Sequence, residues 1–189
     1  AGKSTLCALL ADAYGFVWIE ADSIVKQLYE PGKAGYKKIQ DYFGQAYVNK
    51  HGVNRTKLRL EVLKNHQKLW ILNKLIHPLI VHEVNKKVEQ LKDLCKPDNT
   101  LCVCIEAFYF APQDLGKFID QLIVVDCPDE IVTRRLRKRN IPINELQKLI
   151  KIQRKLLPKR GTRIVNMGDR KNMLKSIQPL LICPHTNLS

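Results

Sequence analysis

Ala1-Gly2-Lys3-Ser4-Thr5 opens the chain and matches the closing half of the phosphate-binding loop pattern G-x-x-x-x-G-K-[ST]. In such a loop the backbone N–H groups around Gly2 and Lys3 face phosphate oxygens, and the positive end of the following helix adds to the attraction. Lys3 reaches the terminal phosphates, and the Ser4 hydroxyl takes one Mg²⁺ coordination position. Ala1, Gly2, Lys3, Ser4 and Thr5 are therefore the expected nucleotide cradle, with Ser4 as the metal ligand. Only half of the pattern is present, with no strand before it and no initiator Met, so the chain reads as a fragment that starts inside its own site. A fragment of that kind is expected to be poorly active by itself.

The residues that follow fit this reading. Leu6, Leu9, Leu10 and Ala13 recur at i, i+3, i+4 and i+7, one apolar face of a helix. Gly15 is placed to end it, and Phe16-Val17-Trp18-Ile19 reads as a buried strand. Loop, helix, strand is the order a phosphate-loop fold requires. The competing explanation is a chance Gly-Lys-Ser at a helix start.

The chain has 189 residues, 45% of them hydrophobic, enough for a real core in a single domain with one insertion. The net charge is +14, which invites a polyanionic partner. The charge is local: between Arg134 and Arg163 twelve Lys or Arg face a single acid, Glu145. Six cysteines show no C-x-x-C pair and read as reduced core residues rather than metal or redox groups. His77 and His82 are off the i, i+4 spacing that lets two helical ligands meet. No apolar run approaches the ~20 residues of a membrane span, and no signal peptide is visible. A cytoplasmic protein follows as the expectation.

Past the first strand, Glu20-Ala21-Asp22 places two carboxylates where a strand leaves the sheet, the position where parallel α/β sheets hold their substrates. A carboxylate there can take the proton of an attacking hydroxyl; Asp22 can equally be the N-cap of a helix over 23–30. Further on, Gly35–Phe43 reads as a helix closed by Gly44, and His51-Gly52-Val53-Asn54 as a turn. Arg55 to Leu94 reads as helical with a break at His77-Pro78, since proline removes a helix hydrogen bond. Leu101–Phe110 and Gln121–Cys127 read as buried strands. Glu106 interrupts the first of them, a candidate for holding Mg²⁺ through water or pairing with Lys3, with a plain buried salt bridge as the alternative. Asp129 and Glu130 open a helix that turns basic at Arg134–Arg139 and breaks at Asn140-Ile141-Pro142; a second helix follows over 144–157. Arg163–Met167 is the last expected strand and Met173–Leu180 the last helix. An arginine-loaded helix pair between two strands suits a lid that neutralises charge on a transferred phosphoryl group. Arg139 is the favoured lid arginine, then Gln153 and Arg154.

Taken together, these motifs resemble the dephospho-coenzyme A kinase family. The resemblance rests on Ala1-Gly2-Lys3-Ser4-Thr5; Glu20-Ala21-Asp22-Ser23-Ile24 for D-A-D-x-I; Glu30-Pro31-Gly32 for E-P-G; and Leu75-Ile76-His77-Pro78-Leu79-Ile80 for L-x-HP-[LI]-[IV]. It continues in Val124-Val125-Asp126-Cys127-Pro128 for V-V-D-x-P and Arg135-Leu136-Arg137-Lys138-Arg139 for R-L-x-x-R. It implies an α/β fold with a P-loop NTPase-type parallel sheet and flanking helices, a helical CoA-substrate insertion at about 55–95 and an Arg-rich lid at about 134–160, all within one domain over 1–189. It implies ATP and Mg²⁺ as cofactors and dephospho-CoA as the substrate, phosphorylated on the ribose 3′-hydroxyl. Asp22 matches the proposed base, Lys3 and Arg139 the charge-stabilising groups, and Glu20, Asp22, His77 and Glu106 the substrate side. A monomer or small homo-oligomer with no membrane or nucleic-acid partner is expected, despite the charge. The chain departs from the family pattern in four places. Glu20 stands for Asp, Glu106-Ala107-Phe108-Tyr109-Phe110 for D-x-P-L-L-[FY]-E, and Asn140 for Asp. Around Arg160–Gly168, both aspartates of A-D-x-V-I-D-N-x-G are lost, and Thr162 and Asn166 remain. Another small-molecule kinase, or an inactive relative that binds phosphates or RNA through the basic segment, are the competing functions.

Overall fold

A computed structural model describes residues 1–96, 100–107, 119–137, 150–151, 154–155 and 157–181. They fall into two compact units: Glu20–Leu94, and Ala1–Ile19 together with the described residues from Cys95 onward.

The second of these is an α/β unit. Helix α1 (Lys3–Tyr14) buries Leu6, Leu9 and Leu10 of the face the sequence spacing predicts, though Ala13 of that face is exposed, and closes at Gly15 in the left-handed conformation with φ 69°. Strand β1 (Val17–Glu20) follows. It is less buried than expected, because Trp18 is 38% exposed and only Ile19 is fully covered. Strand β1 pairs with β4 (Val103–Glu106). Strand β5 (Ile123–Asp126) runs parallel to β6 (Thr162–Val165), with Val125 opposite Ile164 and Asp126 opposite Val165. A parallel pair needs a crossover; it begins in α6 (Asp129–Arg137), whose first turn carries Asp129 and Glu130 at the positive helix end. Helix α7 (Arg170–Ile177) starts at Asp169, whose side chain accepts the Lys171 N–H at 2.9 Å. The core joins these pieces: Leu6, Leu9 and Leu10 of α1 pack with Val125, Ile164, Met173 and Ile177. At roughly 1.5–3 kcal/mol per buried large aliphatic side chain, this cluster fixes α1 and α7 on the β5–β6 ladder. Cys7, Cys104 and Cys127 are free thiols, as expected, whereas Cys102 is disulfide-bonded.

The other unit is mainly helical: α2 (Ala21–Leu28), α3 (Ala34–Phe43), α4 (Arg55–Lys64) and α5 (His66–Leu94). Three of its readings change. The turn at 51–54 is part of a hairpin, β2 (Val48–Asn49) against β3 (Gly52–Val53), whose tip is set by the Asn49 side chain accepting the His51 N–H at 2.8 Å. Asp22 lies inside the first turn of α2; the cap position is Glu20, with no side-chain cap bond. The helix break falls at Asn65 rather than at Pro78. Asn65 leaves the helical conformation (φ −136°, ψ 108°), and its Oδ1 accepts from Gln67 N at 2.9 Å and Lys68 N at 3.2 Å, starting α5 afresh. Pro78 removes only the bond its N–H would give to the Lys74 carbonyl, a cost near 3 kcal/mol. Buried Ile76, Val84 and Val88 on the same helix offset it.

Candidate phosphate-binding site

Gly2 is the keystone of the site. It caps α1 with φ 103° and ψ 23°, left-handed values that L side chains avoid, and the Leu6 N–H already donates to its carbonyl at 3.0 Å. A Cβ at Gly2 would overlap the Asn166 Nδ2, and the Arg135 guanidinium stands 3.6 Å from the same point. The loop thus turns into the helix with no side-chain cap hydrogen bond at Gly2, and the positive helix end faces the loop.

Ser4 is exposed at the start of α1, and its Oγ donates to Glu106 Oε1 at 2.7 Å. Glu106 stands at the end of β4, so the pair links the helix that follows the loop to a neighbouring strand. The second oxygen, Oε2, is buried with no hydrogen-bond partner among the described residues. A hydroxyl beside a carboxylate with a spare lone pair is a hard-oxygen donor set of the kind Mg²⁺ takes, directly or through water. These two residues fit that ion. One helical turn on, Cys7 hydrogen-bonds to Cys104; that bond and burial push the Cys7 thiol up, and the same bond holds Cys104 down.

An open cavity of about 270 Å³ lies beside the loop, bordered by Thr5, Arg135, Asn166, Gly168, Arg170 and Met173. It is just short of the ~300–1,000 Å³ typical of small-molecule sites, which suits one ring system rather than a whole nucleotide. Asn166 and Arg135 are the residues the sequence reading passes over. Asn166 appears there only as a remnant of a motif, and Arg135 as one of twelve cations. The signal available for Asn166 was its place just past a strand, two residues before a glycine.

Farther along the unit, Asp126 and Asp129 hold Arg154. Its Nε donates to Asp129 Oδ1 at 3.1 Å, one Nη to the same oxygen at 2.6 Å and to the Cys127 carbonyl at 2.9 Å, and the other to Asp126 Oδ1. Arg163 approaches Asp126 Oδ2 at 3.4 Å. Burial raises the Asp126 carboxyl, but the Cys127 N–H and Arg154 outweigh it and hold the group below its ordinary 3.8. Arg154 is therefore committed to anchoring its segment at the end of β5.

The predicted site residues divide as follows. Ala1, Gly2, Ser4, Thr5 and Glu106 come together with Asn166, and Lys3 begins α1 among them. Glu20 ends β1, Asp22 is exposed in the first turn of α2, and His77 sits half-buried on α5 before Pro78; all three belong to the helical unit. Arg139 and Gln153 lie outside the described residues. Among those residues no cluster of three or more His, Cys, Asp or Glu could hold a metal, and no helix is long and apolar enough to cross a membrane.

The chain is similar to known proteins. The dephospho-CoA kinase family profile matches residues 1–163. A Prochlorococcus marinus dephospho-CoA kinase is 33% identical over 159 residues, covering 80% of this chain and 74% of that protein. One from Carboxydothermus hydrogenoformans is 31% identical over 140 residues, 74% of this chain and 66% of the relative. Among solved structures, a dephospho-CoA kinase from Campylobacter jejuni superposes with a TM-score of 0.56 at 23% identity, covering 95% of this chain and 92% of that one. A Thermus thermophilus protein gives 0.65 at 23% identity over 95% of this chain and 90% of its own. These two likenesses establish the α/β phosphate-loop fold.

Proposed function

The chain belongs to the dephospho-CoA kinase family, and we propose from that premise that it transfers the γ-phosphoryl group of ATP to the ribose 3′-hydroxyl of dephospho-CoA, giving coenzyme A and ADP. The observation that carries this reading is the Ser4–Glu106 pair beside a left-handed Gly2. It supplies a cation-ready oxygen pair next to the loop at the positive end of α1, and phosphoryl transfer asks the protein for little more than position and charge.

Each residue then has a physical task. Loop amides at Gly2 and Lys3 hold phosphate oxygens, and the Lys3 ammonium draws charge from the γ-phosphate as it leaves. Ser4 and Glu106 would hold Mg²⁺, which would supply screening of the phosphate charge. Following the family motif, Asp22 accepts the proton of the attacking hydroxyl, with Glu20 beside it, and His77 serves the dephospho-CoA side. Arg139 is assigned to the lid. The enzyme acts in the cytoplasm as a monomer or small homo-oligomer, on single domain lines with its insertion at 55–95, and takes no nucleic acid.

The test is ADP release from ATP by the full-length protein against a panel of dephospho-CoA, nucleosides and nucleoside monophosphates. Dephospho-CoA should be the preferred acceptor, and Asp22→Asn should cut turnover by about 10²–10⁴-fold, the usual worth of a general base. Equal or better use of a nucleoside acceptor would sink the assignment.

A further inference from the structure

Asn166 is the one buried polar side chain among the described residues, 3% exposed. An amide carries a donor and an acceptor on opposite arms, and here both are used. Its Nδ2 donates to the Ala1 carbonyl at 2.7 Å, and its Oδ1 accepts the Gly168 N–H at 2.8 Å. Its own backbone N–H donates to the Asp126 carbonyl at 2.8 Å, continuing the β5–β6 ladder by one residue. One residue therefore ties the phosphate loop, the turn into α7 and the end of the sheet. Those are the pieces that border the cavity beside Thr5. Its partners also fix the amide's orientation, since the reversed amide would set oxygen against the Ala1 carbonyl and NH₂ against the Gly168 N–H.

A core residue chosen for stability alone would be apolar here, because burying an amide gains little net energy even when both arms are satisfied. We propose that Asn166 is a positioning residue for the nucleotide: it locks the phosphate loop to the Gly168 wall of the cavity, so that loop amides and the ring subsite are held at one fixed spacing. The contact extends to Gly2, whose missing Cβ is the space Asn166 Nδ2 occupies. Loop and latch form one unit, in which neither residue can change without the other moving. The inference rests on the nucleotide reading of this site, though on neither the identity of the acceptor nor Asp22.

Three variants of the full-length protein test it: Asn166→Asp, Asn166→Ala and Gly2→Ala. The Asp variant keeps the acceptor for Gly168 and places a carboxylate oxygen against the Ala1 carbonyl. Affinity for a fluorescent ATP analogue should fall about tenfold or more in N166D, about 1.4 kcal/mol. KM for ATP should rise in parallel while KM for dephospho-CoA stays within about twofold, and N166D should still melt cooperatively. The effects of N166A and G2A should be non-additive in ATP affinity, since both break one contact. ATP affinity unchanged in N166D, additive losses, or an N166D that does not fold would each overturn the proposal; the last would make Asn166 a plain core residue. Wild-type protein that binds the analogue yet leaves dephospho-CoA unphosphorylated would refute the assigned reaction and leave this inference standing.

Discussion

The two units place their polar contacts differently along the chain. In the helical unit the most deeply covered side chains are apolar: Ile24, Ile39 and Val84. Its ion pairs join residues close in sequence, as with Lys68 and Glu61 or Lys92 and Glu89. In the phosphate-loop unit, polar contacts join elements far apart in sequence: the buried Asn166 to Ala1 and Gly168, and at the surface Ser4 to Glu106 and Arg154 to Asp126 and Asp129. Surface ion pairs contribute little to folding, whereas a buried hydrogen-bonded polar group fixes geometry and is costly to break. One unit is built for shape. The other is built to hold atoms at set distances, and that is where phosphate binding is assigned; the proposed base, Asp22, belongs to the helical unit.

Variants of the phosphate loop and of the helical core should fail in different ways. The largest effect is expected at Lys3→Ala, which should lower kcat by about 10³-fold, in the range seen for loss of a charge-stabilising group at a transition state, with the melting midpoint nearly unchanged. Steady-state kinetics beside a thermal melt would check this. A large loss of stability would show that Lys3 is structural and blur the contrast. Next comes Ile39→Ala in the helical unit, where removing a fully buried side chain should cost about 2–5 kcal/mol by denaturant titration. ATP-analogue affinity of the remaining folded protein should be unchanged; a parallel loss of affinity would break the division.

The smallest and sharpest test is pH. Asp126 is held below 3.8 in the folded protein, so its contribution is complete above that value and is lost as pH falls through the lower folded one. Burial raises the Tyr29 hydroxyl from 10.0 to about 12, partly countered by Arg55. The folded state therefore keeps a proton the unfolded chain releases, and stability declines as pH climbs from 10.0 to about 12. Melting midpoints across pH should lose their acid limb in Asp126→Asn and their alkaline limb in Tyr29→Phe. Limbs that persist in both variants would point to other groups.

What could be read from the sequence follows from the same contrast. Periodic apolar residues announce themselves: Leu6, Leu9 and Leu10 became one helix face, and Val84 and Val88 another. Gly-Lys-Ser named the anion site because its chemistry is local to five residues. Glu106 was marked as a candidate, yet its meeting with Ser4 depends on the pairing of β1 with β4, which no short spacing encodes. Asn166 is 165 positions from the carbonyl it holds, and an isolated asparagine past a strand looks like any turn residue. The helix break was misplaced for a related reason: proline's local cost was visible at Pro78, and the packing that overrides it was not. The Asn65 cap that does break the helix looks unremarkable in a polar stretch.

Pro78 leaves α5 as a rod whose straightness is borrowed from its neighbours. Cut loose as a peptide spanning 66–94, it should hinge or melt at the Lys74 carbonyl; inside the protein it stays continuous. The far-ultraviolet signal of that segment becomes a gauge of whether the surrounding helices are still assembled. Loss of the hydrophobic clasp would show first as two short helices where there had been one.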